Sequence, residues 1–348
     1  MERKRLAVIF GGCSSEHEVS LQSAAAVIES IDAKKYEVFQ IGITREGDWY
    51  RYTGDTEKIA AGTWCEDTVH LNRAVFSQNR SLGGFLELFN GRYFPRGVDL
   101  AFPVLHGKNG EDGTVQGVLE LAGIPIVGCG VLASTLCMDK DRAHQLVSLA
   151  GIAVPRSVTF RQNEIADAMR RIMDILRLPV FVKPVRAGSS FGITRVNRLE
   201  QLMDAIRLAF RYDFEVIVEE AIGGFEVGCA VLGCEELMVG RVDEIEISGG
   251  FFDYTEKYTL KTSKIHMPAR IDDETERRIT EAAKRIYRVL GCSGFARVDM
   301  FLTPDGEIVF NEVNTIPGFT AHSRYPNMMK GIGLSFSQVL EKLLALYD

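Results

Sequence analysis

Short apolar runs alternate with segments of helical periodicity along most of the chain, and this alternation is the strongest constraint on its fold. Residues 6–10, Leu-Ala-Val-Ile-Phe, read as a buried strand, and 19–31 repeat with a helical period. Residues 36–43 and 98–105 read as strands, 114–121 as a short helix ending at Gly123, and 124–127 as a further strand. The first 139 residues thus predict an open, doubly wound α/β sheet. Asp139 suits the N-cap of a helix through Leu149, with Gly151 as its stop. Strands at 157–160 and 178–183 surround an amphipathic helix over 163–176, and a helix over 199–210 closes a central block of 140–214. From 215 to 348 strands dominate: 215–220, 226–232, 238–247, 296–302 and 307–313, with one capped helix over 272–290. A loop rich in Gly and aromatics occupies 248–264, and no long linker separates the three parts.

Charge and cysteine usage narrow the partners. Lys plus Arg number 40 and Asp plus Glu 47 in 348 residues, a net charge of −7. That balance disfavours nucleic acid or an anionic membrane as the main partner, but not one anionic small molecule in a cationic pocket. The seven cysteines are scattered, without CxxC spacing, which suits reduced thiols in the cytoplasm. Arg3-Lys4-Arg5 precede only five apolar residues before Gly11-Gly12, too short for a signal peptide. No apolar stretch approaches 18 residues, so no membrane span is expected.

The richest chemistry lies in Arg297-Val298-Asp299, a Pro304-Asp305-Gly306 turn, and Asn311-Glu312-Val313-Asn314. Pro-Asp-Gly predicts a hairpin. Pairing Leu302 with Glu307 would set Asp299 opposite Phe310 and Arg297 opposite Glu312. Arg297, Asp299, Glu312 and Asn314 then share one face. That face is either a solvated polar edge or a site for a hard cation such as Mg²⁺, which takes one or two carboxylates plus phosphate oxygens. Lys183 ends an apolar strand, where an ammonium calls for a nearby anion. The Gly188-Ser189-Ser190 loop after it offers backbone N–H groups to phosphate, or is simply a turn. Neither a P-loop nor a GxGxxG is present, which argues against a dinucleotide oxidoreductase. The strand entering Glu219, Ala221 and Ile222, with Glu226 beyond, could present backbone groups to an adenine edge, or be an ordinary strand end. Glu16 opens a helix, and His106 sits in a glycine-rich loop at the carboxyl edge of the first sheet.

Together these segments resemble the D-alanine:D-alanine ligase family of the ATP-grasp superfamily. The resemblance runs through Phe10-Gly11-Gly12, Glu16-His17-Glu18-Val19-Ser20, His106-Gly107, Gly110-Glu111-Asp112-Gly113, Met138-Asp139-Lys140 and Val182-Lys183-Pro184. It continues through Gly188-Ser189-Ser190, Asp253-Tyr254-Thr255-Glu256-Lys257-Tyr258, Arg297-Val298-Asp299 and Asn311 to Gly318, over nearly the whole chain. Around Lys257 and Ser323-Arg324-Tyr325-Pro326 the wording looks nearest to the vancomycin-resistance D-Ala-D-Ser ligases of the VanG type.

The resemblance implies an ATP-grasp fold in which a Rossmann-like domain (1–139) precedes two ATP-grasp subdomains (140–214 and 215–348), with 248–264 as a lid. It implies a cytoplasmic, homodimeric enzyme that makes D-alanyl phosphate from D-alanine and ATP and passes it to a second D-amino acid, with Mg²⁺ or Mn²⁺. By similarity, Lys140, Lys183 and Lys257 contact the ATP phosphates, and Glu219, Ala221, Ile222 and Glu226 the nucleoside. Asp299, Glu312 and Asn314 hold the metal, and Arg297 stabilises the tetrahedral oxyanion. Glu16 binds the first ammonium, in a chain with Ser189 and Tyr258, while His106 lies near the first carboxylate. Ser323 meets the acceptor's carboxylate. Arg324 and Phe252, where many D-Ala-D-Ala ligases carry an apolar residue and Tyr, point to D-serine as acceptor, with D-alanine as the alternative and a salt bridge as the plainer role for Arg324.

Overall fold

A computed structural model describes residues 3–188, 190–247 and 263–348. Three sheets organise them. The first holds β1 (Lys4–Gly11), β2 (Tyr36–Ile43), β3 (Trp49–Tyr52), β4 (Leu71–Phe76), β5 (Gly84–Phe89), β6 (Arg92–Gly97) and β7 (Leu100–Pro103), in the order β6-β5-β4-β3-β2-β1-β7. Only β1–β2 and β1–β7 pair parallel, and the rest of the sheet is an antiparallel meander. The expected doubly wound sheet is therefore corrected to a mixed one. The sequence carries a sign of this at Asn90-Gly91, where both residues have positive φ (47° and 72°), the signature of a tight hairpin turn between β5 and β6. Residues 124–127 make a single bridge, Ala101 to Ile126, rather than a strand.

Helices α1 (His17–Ser30), α2 (Thr56–Ala60) and α3 (Thr114–Ala122) accompany this sheet, followed by α4 (Val131–Met138) and α5 (Lys140–Leu149). Asp139 separates the last two and caps α5, its side chain accepting from the Arg142 amide, as expected.

The second sheet is antiparallel, with β8 (Ser157–Arg161), β9 (Val180–Pro184), β10 (Thr194–Val196) and β11 (Glu215–Glu220) in the order β10-β9-β11-β8. Helices α6 (Ile165–Ile175) and α7 (Leu202–Ala209) bury Ala168, Ile172, Leu202 and Ile206 against Val158, Val182 and Val218. The third sheet comprises β12 (Phe225–Leu232), β13 (Met238–Val239), β14 (Asp243–Ile247), β15 (Ser263–His266), β16 (Phe295–Leu302) and β17 (Ile308–Asn314). The strand expected over 238–247 is broken in two. Gly240 runs so close to Met328 that a β-carbon there would stand 2.8 Å from its carbonyl carbon.

Helix α8 (Asp273–Val289) covers this sheet, and α9 (Arg324–Lys330) and α10 (Phe336–Ala345) end the chain. The last helix returns to the beginning of the protein. Leu340, Leu343 and Leu344 share one core with Leu6, Val8, Phe10, Phe295 and Phe319. Among the described residues no helix is long and apolar enough to cross a membrane.

Candidate active site

The expected hairpin forms, but its register differs. Arg297 pairs with Asn314, Asp299 with Glu312 and Met300 with Phe310, leaving a bulge at Asn311. Leu302 meets Ile308 rather than Glu307. These two one-residue offsets add to two, and because strand side chains alternate with period two the four polar residues still share a face. The Arg297 guanidinium grips Asp299 twice, Nε to Oδ1 at 2.8 Å and Nη2 to Oδ2 at 2.7 Å. Asn314 Nδ2 donates to the same Oδ2 at 2.8 Å. Burial opposes the charge on Arg297, yet Asp299 outweighs it and holds the guanidinium more firmly protonated than usual.

That face opens on a cavity of about 430 Å³ lined by Glu16, His106, Glu111, Arg297, Asn314 and Ser323, among others. A second cavity, of about 540 Å³, lies between the second and third sheets and is walled by Lys183, Glu219, Ala221, Ile222 and Glu226. Lys140 and Glu312 line both, 3.9 Å apart, so the two cavities meet at this pair. Such a junction can set a polyphosphate in one chamber against a small molecule in the other.

The N-terminal loops build one wall of the first cavity. Glu16 occupies the N-cap position of α1 without a capping bond from its side chain and is almost fully buried. Its Oε2 would stand 2.6 Å from any β-carbon at position 107, where φ is +68°, so both space and backbone require Gly107. His106 is buried, its Nδ1 2.9 Å from the Ile316 carbonyl, and burial lowers its pKa. Glu111 accepts from the amides of Gly107 (2.9 Å) and Ile316 (3.0 Å), joining the first sheet's loop to the segment after β17. Burial, reinforced by the nearby charge of Glu16, pushes its carboxyl up to about 8.

Across the junction, Lys183 Nζ lies 2.6 Å from Glu219 Oε2. Burial would raise the Glu219 carboxyl, but Lys183, His144 and Lys140 together hold it below its ordinary value. Glu219 thus lines the second cavity while paired with Lys183. Arg324 is no surface residue. It pairs with Asp243 and lies 3.3 Å from Glu226 and 3.4 Å from Asp299, at the wall beside Ser323. Asp243 and His144 are singled out by no motif, and Glu111 and Arg186 lie in motif segments without being given a role. Their partners lie 81 residues away for Asp243–Arg324 and 205 for Glu111–Ile316. Ser189, Phe252, Lys257 and Tyr258, with most of the 248–264 loop, lie outside the described residues.

The donor set fits a hard divalent cation. Asp299 and Glu312 are cross-strand partners whose carboxylate oxygens suit such an ion, and here Arg297 and the Asn314 amide donate to Asp299.

Family models match both parts of the chain: the D-ala D-ala ligase N-terminus over residues 5–129 and the D-ala D-ala ligase C-terminus over 146–345. The solved structure of VanG D-Ala:D-Ser ligase from Enterococcus faecalis superposes with a TM-score of 0.95 at 68% identity, covering 100% of both chains. Vancomycin B-type resistance protein VanB of Enterococcus faecalis is 46% identical, over 99% of each chain. A D-alanine--D-alanine ligase of Caldicellulosiruptor bescii is 43% identical over 99% of this chain and 95% of its own. With both family models in chain order and relatives matched from end to end, the chain belongs to the D-ala D-ala ligase family.

Proposed function

We propose that this protein is an ATP-dependent ligase that joins D-alanine to D-serine for peptidoglycan precursors of the vancomycin-resistant type. The observation that carries the acceptor choice is Arg324, which lines with Ser323 the cavity that contains Arg297, its guanidinium fixed by Asp243. A fixed polar group there favours an acceptor with a hydroxyl and leaves a penalty for one without it.

In the first step the carboxylate of D-alanine attacks the γ-phosphorus of ATP, giving D-alanyl phosphate and ADP. Glu16 holds the ammonium of that D-alanine and His106 lies by its carboxylate. Lys140 and Lys183, with Lys257, neutralise the phosphates, and Ala221, Ile222, Glu219 and Glu226 line the nucleoside end. Phosphoryl transfer asks chiefly for alignment and charge neutralisation, which this residue set supplies. Asp299, Glu312 and Asn314 would hold Mg²⁺ or Mn²⁺, which neutralises phosphate charge when bound. In the second step the acceptor amine attacks the acyl carbon, Arg297 faces the developing oxyanion, and phosphate leaves. Ser323 holds the acceptor's carboxylate, with Phe252 and Arg324 shaping its side-chain pocket. By the resemblance, Ser189 and Tyr258 would extend the chain from Glu16 and the 248–264 segment would be a lid keeping water from the acylphosphate, with Ser189 and 248–262 outside the described residues.

This reading divides the chain into 1–139, 140–214 and 215–348, and places a homodimer in the cytoplasm. The test is direct. With ATP, Mg²⁺ and equimolar D-Ala and D-Ser near neutral pH, D-Ala-D-Ser should dominate by mass spectrometry. Predominant D-Ala-D-Ala would assign the chain to ordinary cell-wall synthesis instead.

A further inference from the structure

Arg186 follows β9 and sits between Lys183 and the Gly188 turn. Its guanidinium faces three carboxylates from two other segments. Nη1 donates to Asp139 Oδ2 at 2.8 Å, and Nη2 to Glu215 Oε2 at 2.7 Å and Asp213 Oδ1 at 3.1 Å. It also lies over the ring of Phe214, 4.4 Å from the centroid. The Arg186 amide donates to Asp213 Oδ2 at 2.7 Å, so backbone and side chain are held by the same residue. Three carboxylates converging on a largely enclosed point repel one another unless a cation sits between them.

One of those carboxylates has a second role. Asp139 caps α5, and the next residue is Lys140. The Lys140 amide donates to Val185 O at 3.2 Å and its Nζ to Ala187 O at 3.0 Å. The chain after Lys183 is therefore fastened to the first turn of α5 by two bonds from Lys140 and one from Arg186 to the cap. This fastening sets the separation of Lys140 and Lys183, which stand on the wall of the same cavity. The flat guanidinium fork can serve several acceptors at fixed angles, whereas an ammonium on a flexible stem cannot reproduce that arrangement.

We infer that Arg186 is a positioning residue for the nucleotide: it locks the end of β9 to the capped start of α5, so that Lys140 and Lys183 meet one polyphosphate. The inference rests on the second cavity being the nucleotide site.

The test compares Arg186→Lys, Arg186→Gln, Arg161→Ala and Lys183→Met in the full chain, by calorimetric ADP binding, steady-state kinetics and thermal melting. Arg161 also contacts Glu215, at 3.0 Å, from an exposed position. Arg186→Lys should raise the ADP Kd and the ATP KM about tenfold while the D-alanine KM and kcat stay within about twofold. Arg186→Gln should raise both nucleotide constants further, and Arg161→Ala should keep the wild-type ADP Kd. A purely structural role would instead lower Tm and the folded fraction with the ADP Kd of the folded protein unchanged, and that result would overturn the inference. If Arg186→Gln does not fold, Arg186→Lys decides the matter. Lys183→Met tests the underlying reading. Unchanged ADP binding there removes the nucleotide site and this inference together, whereas weakened binding there with unchanged binding in Arg186→Lys removes the inference alone.

Discussion

Arg324 and Asp243 form a two-point pair, Nε to Oδ2 and Nη2 to Oδ1, each at 2.7 Å, that joins α9 to β14. Both side chains are nearly enclosed, so each depends on the other for its charge. Arg324→Leu should move the product ratio from D-Ala-D-Ser toward D-Ala-D-Ala by about 10- to 100-fold, read by mass spectrometry with equimolar amino acids. An unchanged ratio would remove Arg324 from acceptor recognition. The same variant strands the Asp243 carboxylate and should cost about 3–5 kcal/mol of stability, most of it restored by adding Asp243→Asn. Thermal melting of the single and double variants checks this.

Gly228 lies against that pair. A β-carbon there would come within 2.4 Å of Arg324 Nη2 and 2.7 Å of Asp243 Oδ1. Gly228→Ala should therefore push the guanidinium from its place, costing about 1–3 kcal/mol by overpacking and relaxing acceptor choice in the same direction as Arg324→Leu. Kinetics with each acceptor separately would show it, and intact discrimination would contradict it.

Arg297 faces the first cavity while gripping Asp299, so its removal should act on the transition state more than on binding. Arg297→Lys should lower kcat roughly 10²- to 10³-fold with little change in the D-alanine KM. Asp299→Asn, by contrast, should raise the Mg²⁺ concentration for half-maximal activity. Titrating Mg²⁺ at saturating ATP separates the two, and equal Mg²⁺ dependence in wild type and Asp299→Asn would argue against Asp299 as a ligand.

Glu111 links stability to pH. Its carboxyl is raised by burial to about 8, above its unfolded value, so the native state retains a proton that the unfolded chain gives up. The associated stability is complete below the unfolded carboxyl pKa of about 4.3 and is lost as pH rises through about 8. Within that window this group should weaken the fold with a slope of up to about 1.4 kcal/mol per pH unit. Denaturant titrations between these limits should show a steeper loss in wild type than in Glu111→Gln, and parallel curves would refute the assignment.

The sequence pattern revealed much of the site because its parts lie close together along the chain. Arg297, Asp299, Glu312 and Asn314 belong to one hairpin, and Lys140 directly follows the helix cap, Asp139. The bulge at Asn311 was hidden because a period-two pattern marks which residues share a face, not how many fit between two cross-strand pairs. Asp243 looked like an ordinary strand residue, since nothing near it in sequence predicts a guanidinium from α9. The antiparallel meander of β3–β6 was illegible for another reason: its strands are short and partly exposed, so their apolar signal is weak, and only the Asn90-Gly91 turn marks it.

The return of α10 to the first sheet bears on how the chain can be synthesised. The core around Leu6, Val8 and Phe10 is completed by Leu340, Leu343 and Leu344, and Lys4 Nζ reaches Asp348 Oδ1 at 2.8 Å. While the chain is still emerging from the ribosome, the first sheet must wait with one apolar flank open until α10 arrives. Folding of β1 is thereby tied to contacts of very high sequence separation, which slows closure and lengthens exposure to chaperones. An early stop before α10 would injure the core around β1, far along the chain from the lesion.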